Sequence, residues 1–158
     1  MERKKTVDIV TVTLIERPAR RLMLLRSVKA SDYFSYCEEM GCDWEEILNN
    51  IPDKLDSAAI LTLPDKLVKT GTSAIAAGIE VPADYSGKLP EKYEIIELPA
   101  CEMLYFQGMP YEDKEEFIRA IEIVNKAIEE YKPEMFGYKF ACDLILEFNF
   151  GALPEKGA

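Results

Sequence analysis

The chain has 158 residues, 48% hydrophobic and 30% charged, which is typical of a single globular domain of ordinary size. Its net charge of −10 argues against a broad phosphate-binding surface, and no apolar run is long enough to span a bilayer. The sequence contains no histidine, which excludes Ser-His-Asp and Cys-His catalysis, imidazole-bound zinc or haem, and a histidine pH switch.

The four cysteines show no Cys-x-x-Cys spacing and predict free, mostly buried thiols rather than a disulfide or a metal site; they are Cys37, Cys42, Cys101 and Cys142. We therefore expect no metal and no cofactor. The basic start of the chain is not followed by an apolar stretch, so it predicts no signal peptide and a cytoplasmic location. We expect no membrane association and no direct nucleic acid binding by this chain.

The first half of the chain predicts a strand, a helix and two further strands. β-branched residues favour a strand over 7–15, Pro18 predicts a turn, bulge or edge crossing, and an extended run resumes at 22–25. Ser31 is the expected N-cap of a helix over about 32–50, which Gly41 weakens by about 1 kcal/mol and is expected to kink. Two more strands are predicted near 57–63 and 73–81.

A linker rich in turn residues is predicted at 82–92, and the second half then repeats the pattern of the first. Two strands are expected near 93–97 and 101–107, followed by an amphipathic helix over about 112–131. Pro133 ends this helix, and the predicted order closes with strands near 138–144 and 146–151.

The two halves share a short motif at a constant offset of 81 residues. Glu16, Pro18 and Ala19 in the first half correspond to Glu97, Pro99 and Ala100 in the second. The offset predicts one pseudo-twofold domain over 1–158, with a first repeat over about 7–81 and a second over about 93–158. The predicted fold is α+β: a duplicated β-α-β-β motif, with an antiparallel sheet and two helices forming a central groove. The offset puts a closing strand at 154–162, so we expect the last strand to be truncated.

Five segments, taken in order, resemble the bacterial GyrI-like effector-binding family, which occurs alone and as the C-terminal domain of AraC-type and MerR-type transcription activators. They are the Glu-x-Pro-Ala connection, residues 33–39 followed by 41–44, residues 77–82, residues 104–108 and residues 131–138. The resemblance implies a groove in which a buried carboxylate and aromatic rings hold a small, often aromatic or cationic, molecule. It also implies multidrug binding in some relatives and hydrolysis of reactive electrophiles in others.

The candidate ligand-binding residues are six aromatic side chains and two glutamates: Tyr33, Tyr36, Trp44, Tyr105, Tyr111, Tyr138, Glu80 and Glu147. Aromatic rings provide rigid faces for flat or cationic ligands, although each ring could equally serve the core. Alternation places each glutamate on the strand face opposite its apolar neighbours. That face could point to solvent or to the groove. The resemblance implies one buried glutamate, and the sequence leaves the choice between the two open.

Two functional classes follow from these residues. The first is a ligand-binding module, a sensor or a sequestering protein linked to transcriptional regulation. The second is a hydrolase in which a groove carboxylate and a tyrosine activate water against a reactive electrophile. A third hypothesis is a protein-binding inhibitor that uses its acidic surface. The expected partners are a small-molecule ligand, a DNA-binding domain or partner protein, and a second copy in a homodimer.

Overall fold

The structure is a computed structural model that describes residues 8–137, 146–150 and 155–157. It is an α+β fold with antiparallel strands, which confirms the predicted fold class. The elements in chain order are β1 (Val10–Arg17), β2 (Arg20–Arg26), α1 (Tyr33–Met40), α2 (Trp44–Asn49), β3 (Ala59–Thr62), β4 (Ile75–Pro82), β5 (Glu94–Leu98), β6 (Cys101–Gly108), α3 (Lys114–Glu130) and β7 (Glu147–Phe150), with 3-10 turns at Asp65–Leu67 and Pro133–Phe136.

Five of the strands form one sheet in the order β5-β2-β4-β3-β7. β2 pairs antiparallel with both β4 and β5, so that Leu22 lies opposite Glu80 on one side and Ile96 on the other. The strands approach closely at Gly78 of β4, where an added Cβ would lie 2.6 Å from Leu61 Cδ1 and 3.0 Å from Met23 O. A side chain at this position would therefore push apart a packed core.

Both faces of this sheet are apolar and buried. One face carries Met23, Ile79 and Val81 and packs against Tyr36, Trp44 and Leu48 of the first helical segment. The opposite face is a second cluster of aliphatic side chains: Leu22, Leu24, Ala59, Leu61, Leu63, Ala76 and Leu98. Strands buried on both faces read as continuous apolar runs, which explains why β2 and β4 show little polar alternation.

The first helical segment differs from its prediction in two ways. The single helix expected over 32–50 is two helices, because Gly41 has a φ of 87° and ends α1. The N-cap is Asp32 rather than Ser31: the Asp32 carboxylate accepts a hydrogen bond from Ser35 N at 2.8 Å, and Ser35 Oγ accepts one from Asp32 N at 3.0 Å. The reciprocal bonds of this capping box fix the start of α1.

The chain divides into two compact units whose boundaries fall at the repeated Glu-x-Pro-Ala motifs. The described part of one unit contains 18–101 and 146–150, and that of the other contains 8–17, 102–137 and 155–157. Each unit thus contains at least one strand from the opposite repeat: β5 and β7 join the first repeat, and β1 joins the second. Pro18 lies between β1 and β2, as the predicted edge crossing requires.

In the second unit β1 pairs with β6, and α3 packs on β1. Asp113 caps α3 by accepting a hydrogen bond from Glu116 N at 2.9 Å, and the Arg119 guanidinium lies 2.7 Å from the Asp8 carboxylate. Gly157, the counterpart of Ala76 at the repeat offset, would bring an added Cβ within 2.5 Å of Gly108 O. The end of the described chain thus lies beside β6, where the repeat predicts a closing strand.

Three predictions stay untested by these elements. The strand expected over 138–144 lies outside the described residues, and the central groove and the single-domain assignment remain predictions. Among the helices that the structure describes, none is long and apolar enough to cross a membrane.

Candidate functional site

Four aromatic side chains meet where α1 joins α2, and we call them the α1–α2 aromatic cluster: Tyr33, Phe34, Tyr36 and Trp44. The Trp44 ring lies edge-to-face with the rings of Tyr33 and Tyr36, at centroid distances of 6.2 and 6.0 Å. The Phe34 ring packs edge-on against Tyr33 at 5.4 Å and is 70% exposed. The cluster therefore extends from the core to the surface and has accessible aromatic area for a flat ligand.

Local backbone geometry brings the cluster together. The capping box starts α1 at Tyr33, so Tyr33 and Tyr36 lie three residues apart on neighbouring positions of one helix. The positive φ of Gly41 then turns the chain, so that Trp44 begins α2 beside both tyrosines. A continuous helix over 32–50 would place Trp44 two turns beyond Tyr36.

Tyr36 forms the floor of the cluster and is fully buried. Its hydroxyl donates a hydrogen bond of 2.9 Å to the carbonyl oxygen of Leu25 on β2. Burial raises the pKa of the Tyr36 phenol, so this hydroxyl stays protonated and keeps its role as donor. Tyr36 is thus a structural member of the site, as the packing alternative in the sequence suggested.

The indole of Trp44 is only 3% exposed, yet its Nε1–H has no hydrogen-bond acceptor among the described residues. A buried donor without a partner costs roughly 1–3 kcal/mol, and native structures contain few of them. The Trp44 N–H is therefore an unusual feature of this cluster, because it is a buried polar group that a ligand could satisfy.

Tyr33 connects the cluster to a carboxylate. It is 39% exposed, and its hydroxyl donates a hydrogen bond of 3.1 Å to Glu45 Oε1. Burial and this bond raise the pKa of the Tyr33 phenol, so it remains a donor. Residues 31–50 include six acidic side chains and no basic one: Asp32, Glu38, Glu39, Asp43, Glu45 and Glu46. The cluster therefore lies in a negative field that favours cations.

Glu39 anchors α1 to the end of β2. Its carboxylate accepts three backbone hydrogen bonds, from Val28 at 2.6 Å, Lys29 at 2.8 Å and Ala30 at 3.0 Å. The bonds from Val28 and Lys29 are the main reason that the pKa of Glu39 lies below its usual value of 4.5. The ionised carboxylate thus holds the helix that carries Tyr33 and Tyr36.

We expect Glu39→Gln to lower the free energy of unfolding by about 1 kcal/mol at pH 7, because charge-assisted bonds are replaced by neutral ones near solvent. Removing an acidic side chain from the last turn of α1 relieves a dipole penalty of about 0.3 kcal/mol, which is smaller. A folded-state pKa below 4.5 makes this contribution full above that pH and lost as pH falls through the lowered value. Urea unfolding of both proteins between pH 3 and 7 measures it, and a pH-independent difference would contradict the anchor.

Glu80 does not join the aromatic cluster. It lies on β4 facing the aliphatic side of the sheet, whereas Ile79 and Val81 face Trp44 and Tyr36. This alternation confirms the sequence argument, but the second face is buried rather than solvated, and Glu80 is 2% exposed. Its carboxylate pairs with the buried Arg20 guanidinium.

Arg20 also bonds to the connection between β5 and β6. Its Nη1 donates to the carbonyl oxygen of Pro99 at 2.6 Å and contacts Cys101 Sγ at 3.6 Å. Because the buried Arg20 guanidinium engages the Glu80 carboxylate, the arrangement favours a structural role over a general base. The hydrolase alternative therefore gains no support at Glu80.

The remaining candidates lie apart from the cluster. Glu147 is exposed on β7, which corresponds to the solvent-facing one of the two alternatives that the sequence left open. Tyr111 is buried and packs against Phe117, with ring centroids 5.5 Å apart. The half-buried Tyr105 on β6 donates to Gln107 Oε1 at 3.4 Å, and Tyr138 lies outside the described residues. Binding roles for these four residues stay predictions.

The cysteines are less buried than expected. Cys42 and Cys101 are exposed and Cys37 is partly buried, which makes the prediction of mostly buried thiols wrong for two of these three. All three are free thiols, as predicted. A hydrogen bond to Cys37 raises the pKa of the Cys42 thiol. No group of three or more potential metal ligands occurs in the part of the chain that the structure describes.

Comparisons with known proteins found coarse similarity only. No protein-family model and no curated protein matches the chain. The crystal structure of the EcmrR C-terminal domain has a TM-score of 0.46 at 16% identity, covering 94% of this chain and 93% of that one. EcmrR in a DNA complex with RPo has a TM-score of 0.47 at 15% identity. This comparison covers 94% of the present chain but only 55% of EcmrR, so the chain spans about half its length. Family membership stays a prediction.

Proposed function

We propose that the protein binds a small aromatic or hydrophobic cation at the α1–α2 aromatic cluster and serves as a sensor or sequestering module linked to transcriptional regulation. The binding part of this proposal rests on one observation: the buried Trp44 N–H has no acceptor among the described residues, and its ring contacts the partly exposed ring of Tyr33. The regulatory part rests on the resemblance of the sequence to effector-binding domains. The DNA-binding partner and the homodimer belong to the same expectation.

Cation selectivity follows from the charges and rings around the cluster. Tyr33 and Phe34 present exposed aromatic rings, whose faces carry the negative quadrupole that attracts a cation. The Glu45 carboxylate lies within hydrogen-bond distance of Tyr33 and supplies a full negative charge at the same place. A cation–π contact contributes about 0.5–2 kcal/mol, depending on desolvation. These groups together favour a ligand with an aromatic ring and one positive charge.

Benzyltrimethylammonium is a suitable probe, because it has one ring and one fixed charge and cannot be deprotonated. We expect saturable binding by isothermal titration calorimetry. We also expect Glu45→Gln to weaken it about 5- to 30-fold, the equivalent of about 1–2 kcal/mol. Glutamine keeps an acceptor for the Tyr33 hydroxyl, so the variant removes charge while preserving local packing.

Glu46→Gln is the matched control, since it removes the same charge from the next residue of α2, where the side chain is exposed. We expect its affinity to stay within about twofold of the original, because a solvated charge is strongly screened. Equal weakening by both variants would mean that Glu45 acts only through the overall negative charge of this segment, without a direct contact to the ligand. Undetectable binding to the unsubstituted protein would contradict the proposal.

A further inference from the structure

We infer, building on the proposed function, that the ligand carries a second recognition group: an uncharged hydrogen-bond acceptor, such as a ketone or ether oxygen, for Trp44 Nε1. The ligand class is thus an aromatic cation with a neutral acceptor close to its charge. Tyr33 is the side chain that moves to let the ligand reach Trp44.

The need for an acceptor follows from the surroundings of Trp44. The indole is 97% buried, counted from its 3% exposure, and its ring contacts in the cluster are to Tyr33 and Tyr36. Aromatic rings can receive an N–H only as a weak π contact. A ligand oxygen would give this donor a full hydrogen bond and remove the cost of leaving it unpaired.

Tyr33 is positioned to admit the ligand. It is the more exposed of the two tyrosines that pack on Trp44, and its hydroxyl bonds to Glu45 at the surface. A cation that binds the Glu45 carboxylate competes with the Tyr33 hydroxyl for that oxygen. Tyr33 can then rotate away from the indole, since a partly exposed ring at the surface changes rotamer rapidly.

The acidic character of residues 31–50 decides which acceptor fits. Six carboxylates and no basic side chain surround the cluster in sequence, so an anionic acceptor on the ligand would be repelled. A ketone or ether oxygen has no such cost. We therefore do not expect anionic aromatic compounds to bind. An ammonium ion without an acceptor would interact with the rings and Glu45 but not with Trp44 Nε1.

A matched pair of probes tests this inference. Phenacyltrimethylammonium differs from benzyltrimethylammonium by one carbonyl between the ring and the charged end. By calorimetry we expect the phenacyl compound to bind about 3- to 10-fold more tightly, the value of one net hydrogen bond. In Trp44→Phe, which keeps an aromatic ring but has no N–H, we expect this ratio to fall to about one.

The two ways of failing are distinguishable. If neither cation binds, the proposed function is wrong and the inference falls with it. If both bind with equal affinity to the unsubstituted protein, or if Trp44→Phe keeps the preference, only the inference is overturned. If Trp44→Phe does not fold, the NMR signal of the Trp44 indole N–H proton in the unsubstituted protein gives a second measurement. We expect phenacyltrimethylammonium to shift this proton downfield relative to the benzyl compound, and equal shifts would overturn the inference.

Discussion

Arg20→Ala is expected to lower the free energy of unfolding by about 3–5 kcal/mol, because it leaves the Glu80 carboxylate buried without its guanidinium partner. Arg20 and Glu80 are 4% and 2% exposed, so water cannot replace the lost interaction without opening the sheet. The variant also removes the bond from Arg20 Nη1 to Pro99 O at 2.6 Å. A loss of this size is a large fraction of the 5–15 kcal/mol that stabilises a typical domain.

The double variant Arg20→Met/Glu80→Met separates the ion pair from the packing. Apolar side chains of similar volume often replace a buried ion pair at little net cost, so we expect the double variant to be more stable than Arg20→Ala. Chemical denaturation of the two variants beside the unsubstituted protein gives the comparison. A double variant no more stable than Arg20→Ala would contradict the view that the unpaired Glu80 carboxylate causes the loss.

Tyr36→Ala is expected to cost about 3–5 kcal/mol and to abolish cation binding, since it removes the floor of the α1–α2 aromatic cluster. The side chain is fully buried, contacts the Trp44 ring and bonds to Leu25 O. Its loss would leave a cavity between α1 and the sheet. Thermal unfolding followed by circular dichroism measures the stability, and calorimetry with benzyltrimethylammonium measures the binding.

Tyr36→Phe is the matched control for that variant. It keeps the ring that contacts Trp44 and removes only the hydroxyl, so we expect a cost of about 1 kcal/mol from the lost bond to Leu25 O and nearly unchanged cation binding. If Tyr36→Phe lost binding as completely as Tyr36→Ala, the Tyr36 hydroxyl would have a ligand role that the structure does not assign to it.

Local patterns predicted the strands and the amphipathic helix because those signals lie within a few neighbouring residues. β4 and α3 lie within two residues of their predicted bounds, and Gly41, where a kink was predicted, ends α1. The assignment of β1 to the unit of the second repeat, and of β5 and β7 to the unit of the first, was beyond local reasoning. Periodicity identifies a strand but not the strands that pair with it. The sequence repeat therefore predicted two halves that do not match the two compact units.

The candidate site was predicted only in part. Tyr33, Tyr36 and Trp44 were named from their residue type and do meet, because Gly41 turns α1 into α2. Glu45 was missed, although the six acidic residues in 31–50 gave a signal that could have indicated it. Glu80 was one of two candidates for a groove carboxylate, and its pairing with Arg20, 60 residues away, is a tertiary contact that alternation within one strand does not reveal.

Trp44 fluorescence during a titration with benzyltrimethylammonium tests the proposed binding site most directly, because Trp44 is the only tryptophan of the chain. We expect a saturable change in emission whose midpoint agrees with calorimetry, and a midpoint moved to higher concentration in Glu45→Gln but not in Glu46→Gln. Saturable heat of binding with unchanged Trp44 emission would place the ligand elsewhere and contradict the proposed site.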